Sequence, residues 1–344
     1  MIDARPAFRP PLLPDGSDGL RLEVRKFLRE QAFEPRCGSW LSGFDPGFSR
    51  RLATRGWVGM TWPARYGGGE RTPLDRHVVA EELLAAGAPV AAHWISDRLI
   101  GPLLLRHGGE EQRERLLPAM ARGECFFCVG MSEPGAHPSA RCSDGGFLVS
   151  GEVGASNAHR AHYLLTLVRT ERQEGLSHVM VDLGSPGVDI RPSRPPHGDG
   201  RRGGIVLRDV FLPETMLVGR EGEGPSQALM DLPFASGGPE RFLSTFPLLR
   251  QAIEVGLAGD ARAADAIGRL TARLWALRRL ALSVAGAVEA GESPAAQAAL
   301  VAELGTRFER DVVETVRGLA QPITGGRLAE LLFQAVPAAG LTGE

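Results

Sequence analysis

The chain has 344 residues, 43% of them apolar and 23% charged, with a formal net charge of −2 at pH 7. That length exceeds one ordinary core and asks for two or three packed subdomains. The near-neutral balance gives no electrostatic reason for nucleic acid as a main partner, and Lys26, the sole lysine, leaves little room for Schiff-base chemistry.

Residues 1–19, rich in Pro, Gly and Asp, read as a flexible leader. From Leu20 to about Pro118 the apolar spacing is helical: Leu22, Val24, Phe27 and Leu28 form one stripe, Val78, Val79, Leu83 and Leu84 another. Tyr66-Gly67-Gly68-Gly69 reads as a turn and Ala88-Pro89 as a further break. Between Cys125 and Val218 short runs rich in Val, Leu and Ile alternate with Gly/Pro turns, at 147–149, 163–168, 178–183 and 205–212, which predicts strands. From about Ser226 to Val316 amphipathic helices return, over 267–288 and 295–319, separated by Gly291-Glu292-Ser293-Pro294. The order predicts an α+β chain with a helical domain at 20–124, a β domain at 125–225 and a short helical bundle at 226–344. No apolar run is long enough to cross a bilayer and residues 1–20 lack a secretory pattern, so a cytoplasmic protein with no membrane partner is expected.

Four cysteines, Cys37, Cys125, Cys128 and Cys142, are too few for a disulfide framework in a chain of this length. Cys125 and Cys128 form a C-x-x-C with no second pair at zinc spacing, which favours two small residues on a buried strand. His159 and His162 stand three apart without a thiol or carboxylate cluster to complete a site, so no metal is expected.

A set of segments resembles, at corresponding places and in order, the acyl-CoA dehydrogenase family. The strongest is Phe127-Cys128-Val129-Gly130-Met131-Ser132-Glu133-Pro134-Gly135-Ala136, similar to the start of that family's middle domain. Before it, Trp62-Pro63-Ala64-Arg65-Tyr66-Gly67-Gly68 looks like the W-P-x-x-Y-G-G turn, and Glu81-Glu82-Leu83, Gly87-Ala88-Pro89 and Gly101-Pro102 follow. After it come Ala158-His159-Arg160-Ala161-His162-Tyr163, Val210-Phe211-Leu212-Pro213 and Leu217-Val218-Gly219. In the last region, 238–245 resembles the helix start that bears the base in one branch of the family. The resemblance implies an N-terminal helical domain, a β-barrel or sandwich domain in the middle and a C-terminal four-helix bundle through which chains oligomerise.

It also implies a reaction: a carboxylate takes the α-proton of an acyl thioester, carried by CoA or an acyl carrier protein, while FAD accepts the β-hydride. Glu240 matches the base and Arg241 an arginine that helps hold the CoA or the helix; on its residues alone Glu240 equally fits an ordinary first-turn carboxylate. Ser132 matches a hydroxyl that touches the flavin ring, with Met131 and Gly130 on the strand lining it; a serine satisfied by backbone fits as well. There are departures. Gly154, Ala155, Ser156 and Asn157 stand where the family has Trp-Thr-Ser-Gly around the flavin, which removes an aromatic wall and a donor. His137, Pro138 and Ser139 replace the Gly-Ser-Asp loop near the pantetheine or phosphate, and Asp265-Ala266-Ile267-Gly268 stands near the place of the R-x-x-F-G segment. A Gly-Gly-Thr loop and final helix are expected to be absent, since the chain ends at Gly343-Glu344 and Gly325-Gly326 matches poorly.

These features favour a dehydrogenase that works with FAD beside a companion chain, as in heteromeric members with one complete and one degenerate subunit. Three alternatives stand beside it. One is a flavin-free acid–base enzyme, an isomerase, dehydratase or cyclase on a thioester or polyketide-like substrate. The others are a plain dehydrogenase with an altered flavin site and a non-catalytic pseudoenzyme.

Overall fold

The computed structural model describes residues 8–133, 135–191, 204–226, 237–256, 261–320 and 325–340, with backbone only for 336–340. Residues 1–7 of the expected leader, Pro134 of the 127–136 motif, residues 227–236 and Gly343-Glu344 lie outside the described residues. In chain order the helices are α1 (Ser17–Glu30), α2 (Ser39–Ser42), α3 (Pro46–Ala53), α4 (Pro73–Ala85), α5 (Ala91–Ile95), α6 (Gly101–His107) and α7 (Glu110–Ala121), followed after the strands by α8 (Phe246–Glu254), α9 (Ala261–Glu289), α10 (Ala295–Leu319) and α11 (Gly326–Gly340). The strands are β1 (Phe127–Met131), β2 (Ser139–Ser143), β3 (Gly146–Ala155), β4 (Tyr163–Thr170), β5 (Ser177–Asp182), β6 (Val188–Ile190), β7 (Gly204–Pro213) and β8 (Leu217–Val218). The chain divides into one unit of Met1–Gly43, Arg71–Val90 and Pro233–Glu344, and a second of Phe44–Glu70 and Ala91–Leu232.

The first unit is helical, and α4 packs against both α1 and α9. Thr72 starts α4 by accepting the Asp75 amide on its hydroxyl at 3.1 Å, and Pro73 occupies the first turn, where its missing N–H costs nothing. Val78, Val79, Leu83 and Leu84 are all buried, so α4 is covered on more than one side. Glu81 and Glu82 are buried among them and are neutralised by cations instead of water. The Arg278 guanidinium of α9 forks onto Glu81 at 2.6 and 2.9 Å, while Arg21 and Arg25 of α1 reach Glu82 at 2.6 and 2.7 Å. Burial pushes the Glu81 carboxyl up, but Arg278, His77 and Arg21 outweigh it and hold it at about 2. The α9–α10 break falls at the expected place, where Gly291 takes a φ of 76° that side chains disfavour.

The second unit packs α3 and α5–α7 with the sheet. All four predicted strand runs are present, as β3, β4, β5 and β7. Strand order is β6-β7-β3-β1-β4-β5-β8, with β2 paired to both β3 and β4. β1 is shared: Phe127, Cys128 and Val129 run parallel to β4, whereas Gly130 and Met131 pair antiparallel with Ala155 and Gly154 of β3. Since β1 and β2 each bridge β3 and β4, these four strands close on themselves as a small barrel whose outer neighbours extend it. Leu164, Val168, Val179, Val181, Ile205 and Val210 fill the interior. Cys128 is buried on β1 and Cys125 just ahead of it, both free, and burial pushes each thiol up to about 12.

Candidate functional site

Glu240 and Arg241 belong to the helical unit. The structure differs from the sequence expectation here: Pro239–Arg241 is a single 3-10 turn, and α8 begins only at Phe246, so Glu240 is not a first-turn carboxylate of that helix. It is held by the chain around it. Glu240 is 2% exposed, and one carboxylate oxygen accepts the Gly238 amide at 3.1 Å.

Ser244 is the hub of this turn. Its hydroxyl donates to the Glu240 carbonyl at 2.7 Å and accepts the Trp40 indole N–H at 2.8 Å. Its amide donates to Glu309 Oε1 at 3.0 Å, and its carbonyl accepts the Gly38 amide at 2.9 Å. The Arg241 guanidinium lies 5.9 Å from the Trp40 ring centroid. Glu309 comes from α10 and is 5% exposed. Burial pushes its carboxyl up to about 8 against the pull of Ser244 and Arg241, and the neighbouring Glu240 adds to the rise. Gly305, one turn earlier, lets α10 approach: a Cβ there would stand 2.4 Å from the Arg241 carbonyl oxygen. Sequence reasoning missed Glu309, Ser244 and Trp40 as site residues. A signal existed for Glu309, which sits beside the buried Val301, Gly305, Phe308, Val312 stripe of α10, where a carboxylate is costly unless it is neutral or paired.

The remaining predicted residues belong to the β unit. Gly130 and Met131 face Ala155 and Gly154 across the β1–β3 register, so those four are brought together, and Ser132 continues the edge. Met131 is 59% exposed, Ala155 is buried and Ser156 is exposed. Gly130 has no room for a side chain, since a Cβ would lie 2.7 Å from Thr166 Oγ1. The hydroxyls of Ser132 and Thr166 and Nδ1 of His137 are buried and have no hydrogen-bond partner among the described residues. Ser139 is not brought to this edge by pairing; it opens β2 opposite Ser150, whose carbonyl accepts its hydroxyl at 3.4 Å. An open cleft of about 430 Å³ in the same unit is lined by His159, His162, Tyr163, Asp182 and Glu124. His162 Nδ1 accepts the Phe126 amide at 3.1 Å, and among the described residues no group of three or more His, Cys, Asp or Glu is placed to hold a metal. A buried Ser49–His93 contact, Oγ to Nδ1 at 2.8 Å, ties α3 to α5; desolvation holds the imidazole down at about 4, a structural arrangement closed to solvent.

Comparison with known proteins supplies the wider frame. Residues 15–124 match the family described as acyl-CoA dehydrogenase, N-terminal domain. The chain is 31% identical to acyl-CoA dehydrogenase FadE34 of Mycobacterium tuberculosis over 91% of its own length, but spans only 44% of that protein. Among solved structures it resembles the Tcur3481-Tcur3483 steroid ACAD with a TM-score of 0.82 and 24% identity, covering 96% of this chain and 92% of that one. It also resembles the ChsE4-ChsE5 complex from Mycobacterium tuberculosis, with a TM-score of 0.78, 21% identity and coverage of 97% and 94%. These likenesses establish the three-part fold of helices, mixed sheet and helices. Among the described residues no helix is long and apolar enough to cross a membrane.

Proposed function

The chain belongs to the acyl-CoA dehydrogenase family, and from that premise we propose that it takes part in α,β-dehydrogenation of an acyl thioester with FAD, beside a companion chain, with Glu240 as the base. The observation that carries the reading is the construction around Glu240. A carboxylate at the family's base position is buried and oriented by Gly238, and its turn is fixed by Ser244, Trp40 and Glu309. A base held in one orientation beside the reacting carbon needs no reorganisation before it takes the proton.

The fit to FAD is to one edge of the group. The orphaned Ser132 hydroxyl suits a flavin polar edge, and the exposed Met131 with the Gly130 backbone lines it. Gly154 and Ala155 bring no polar side chain, and Ser156 is the first residue there whose side chain is able to hydrogen-bond. A second chain that supplies the aromatic wall and further donors completes such a cradle; this is the reason for a hetero-oligomer instead of a self-sufficient subunit. Two further facts favour it. Both structural neighbours are described as two-component assemblies, and more than half of FadE34 lies outside the match to this chain.

FAD held at the Gly130–Ser132 edge would supply the acceptor for the hydride that leaves the β-carbon. Glu240 removes the α-proton and holds it on its carboxyl. His137 and Ser139, at the approach to β2, contact the CoA or acyl-carrier arm, and Arg241 holds the base's turn from above Trp40. The test is anaerobic addition of acyl-CoA thioesters to the chain co-purified with its companion. Flavin bleaching that Glu240→Gln abolishes supports the reading, and bleaching that survives the substitution refutes the base. One observation favours a flavin-free acid–base enzyme as the second reading: Glu240 stands beside a carboxyl that burial keeps protonated, an acid and a base within one cluster. Colourless protein that isomerises or dehydrates a thioester in a Glu240-dependent manner would select it.

A further inference from the structure

Two of the three hydrogen-bonding positions of the Ser244 hydroxyl are filled. Its single proton goes to the Glu240 carbonyl and one lone pair receives the Trp40 N–H. Glu309 Oε1 accepts the Ser244 amide at 3.0 Å, and the carboxyl also feels the Ser244 side chain. As a neutral acid, Glu309 can donate its O–H to the remaining lone pair of Ser244 and complete the network. As a carboxylate it can only accept, so it competes for the hydroxyl proton and draws it off the Glu240 carbonyl. Gly305 brings α10 close enough to make this coupling direct, because the same helix face meets the Arg241 carbonyl and the Ser244 amide.

We propose that Glu309 is a positioning residue for Glu240: acting through Ser244, it fixes the turn that carries the base. The proposal rests on the reading of Glu240 as the base. The groups that face Glu309 are Glu240 and Arg241 on the 239–241 turn and Cys37 ahead of α2, with Arg327 of α11 acting on Cys37 in turn. Arg241 opposes the uptake of a proton by Glu309, and Glu240 favours it. Cys37, itself pushed up to about 12 by burial, stays neutral throughout the range of interest.

Two measurements judge it, one independent of turnover. In 15N-labelled chain the Trp40 indole N–H resonance, assigned with Trp40→Phe, is expected to titrate with a midpoint of about 8 and to be flat in Glu309→Gln. A wild-type resonance that is flat over that range, or a titration that persists in Glu309→Gln, overturns the link whether or not the protein turns over. In the acyl-CoA assay with the companion chain, Glu309→Ala is expected to lower kcat by ~10–100-fold with KM unchanged. Glu309→Gln is expected to recover the rate and to lose the alkaline limb of the pH profile. A Glu309→Gln profile identical to wild type, with Glu240→Gln inactive, overturns the positioning role alone. Turnover that survives Glu240→Gln overturns the reading of the base instead, and the indole titration then decides Glu309 by itself.

Discussion

Replacing Glu81 by Gln isolates the charge on which the α1–α4–α9 packing depends. Its side chain is 6% exposed and Arg278 forks onto it, so the carboxylate is neither solvated nor free to move away. Three nearby cationic or ionisable groups hold it at about 2, against the ordinary 4.5. A carboxyl depressed in the fold contributes stability that is fully present above the unfolded value and is lost as pH falls through the folded one. The difference amounts to ~3 kcal/mol at pH 7 and shrinks to ~1 kcal/mol at pH 3. Glu81→Gln also leaves Arg278 without its charged partner, but that guanidinium is about one-third exposed and recovers water, so the added penalty stays below that of an enclosed charge. Urea unfolding of wild type and variant across this pH range measures the difference directly. A gap of the same size at pH 3 and pH 7, or one under ~0.5 kcal/mol at pH 7, refutes the reasoning.

Other consequences are open to the same methods. Glu309 works in the opposite sense: its carboxyl is raised, so the fold gains relative stability below the unfolded value of 4.5 and loses it progressively as pH rises toward about 8. Glu309→Gln therefore unfolds at higher urea than wild type at pH 8, and a lower midpoint would contradict the burial argument. Ser49→Ala strips the buried His93 Nδ1 of its partner and costs ~1–3 kcal/mol in urea unfolding, whereas a neutral result would place the contact among the dispensable ones. Gly305→Ala gains ~1 kcal/mol of helix propensity but drives a Cβ to 2.4 Å from the Arg241 carbonyl, so a net loss of stability is expected. A stabilised Gly305→Ala would show that α10 is free to draw back from the turn.

What the sequence made legible was whatever rests on periodicity and punctuation. The helix over 295–319 was placed residue for residue, because its apolar stripe is continuous and Pro294 precedes it. β2, β6 and β8 were not named as strands. They are short, and β2 reads Ser-Ala-Arg-Cys-Ser, without alternation, because it lies against β3 and β4 with only Ala140 fully buried. The division at Gly43, Glu70 and Val90 was invisible too, since contiguous helical pattern carries no record of which helix packs in which unit. At the site, motif position located Glu240, but its 3-10 turn, the Ser244 hub and Glu309 draw on segments as far apart as Trp40 and Ser244, 204 positions, and spacing cannot report such meetings.

The account stands most directly on whether this chain shares a flavin with a second one. The decisive measurement is the visible absorption spectrum of the chain purified alone and after co-expression with an acyl-CoA dehydrogenase-like companion. The account predicts a colourless chain alone and flavin bands in the pair, weakened by substitutions at Ser132, whose buried hydroxyl has no partner among the described residues. Stoichiometric flavin in the isolated chain would contradict the shared cradle. A colourless pair would contradict dehydrogenation altogether and transfer the case to acid–base chemistry at Glu240.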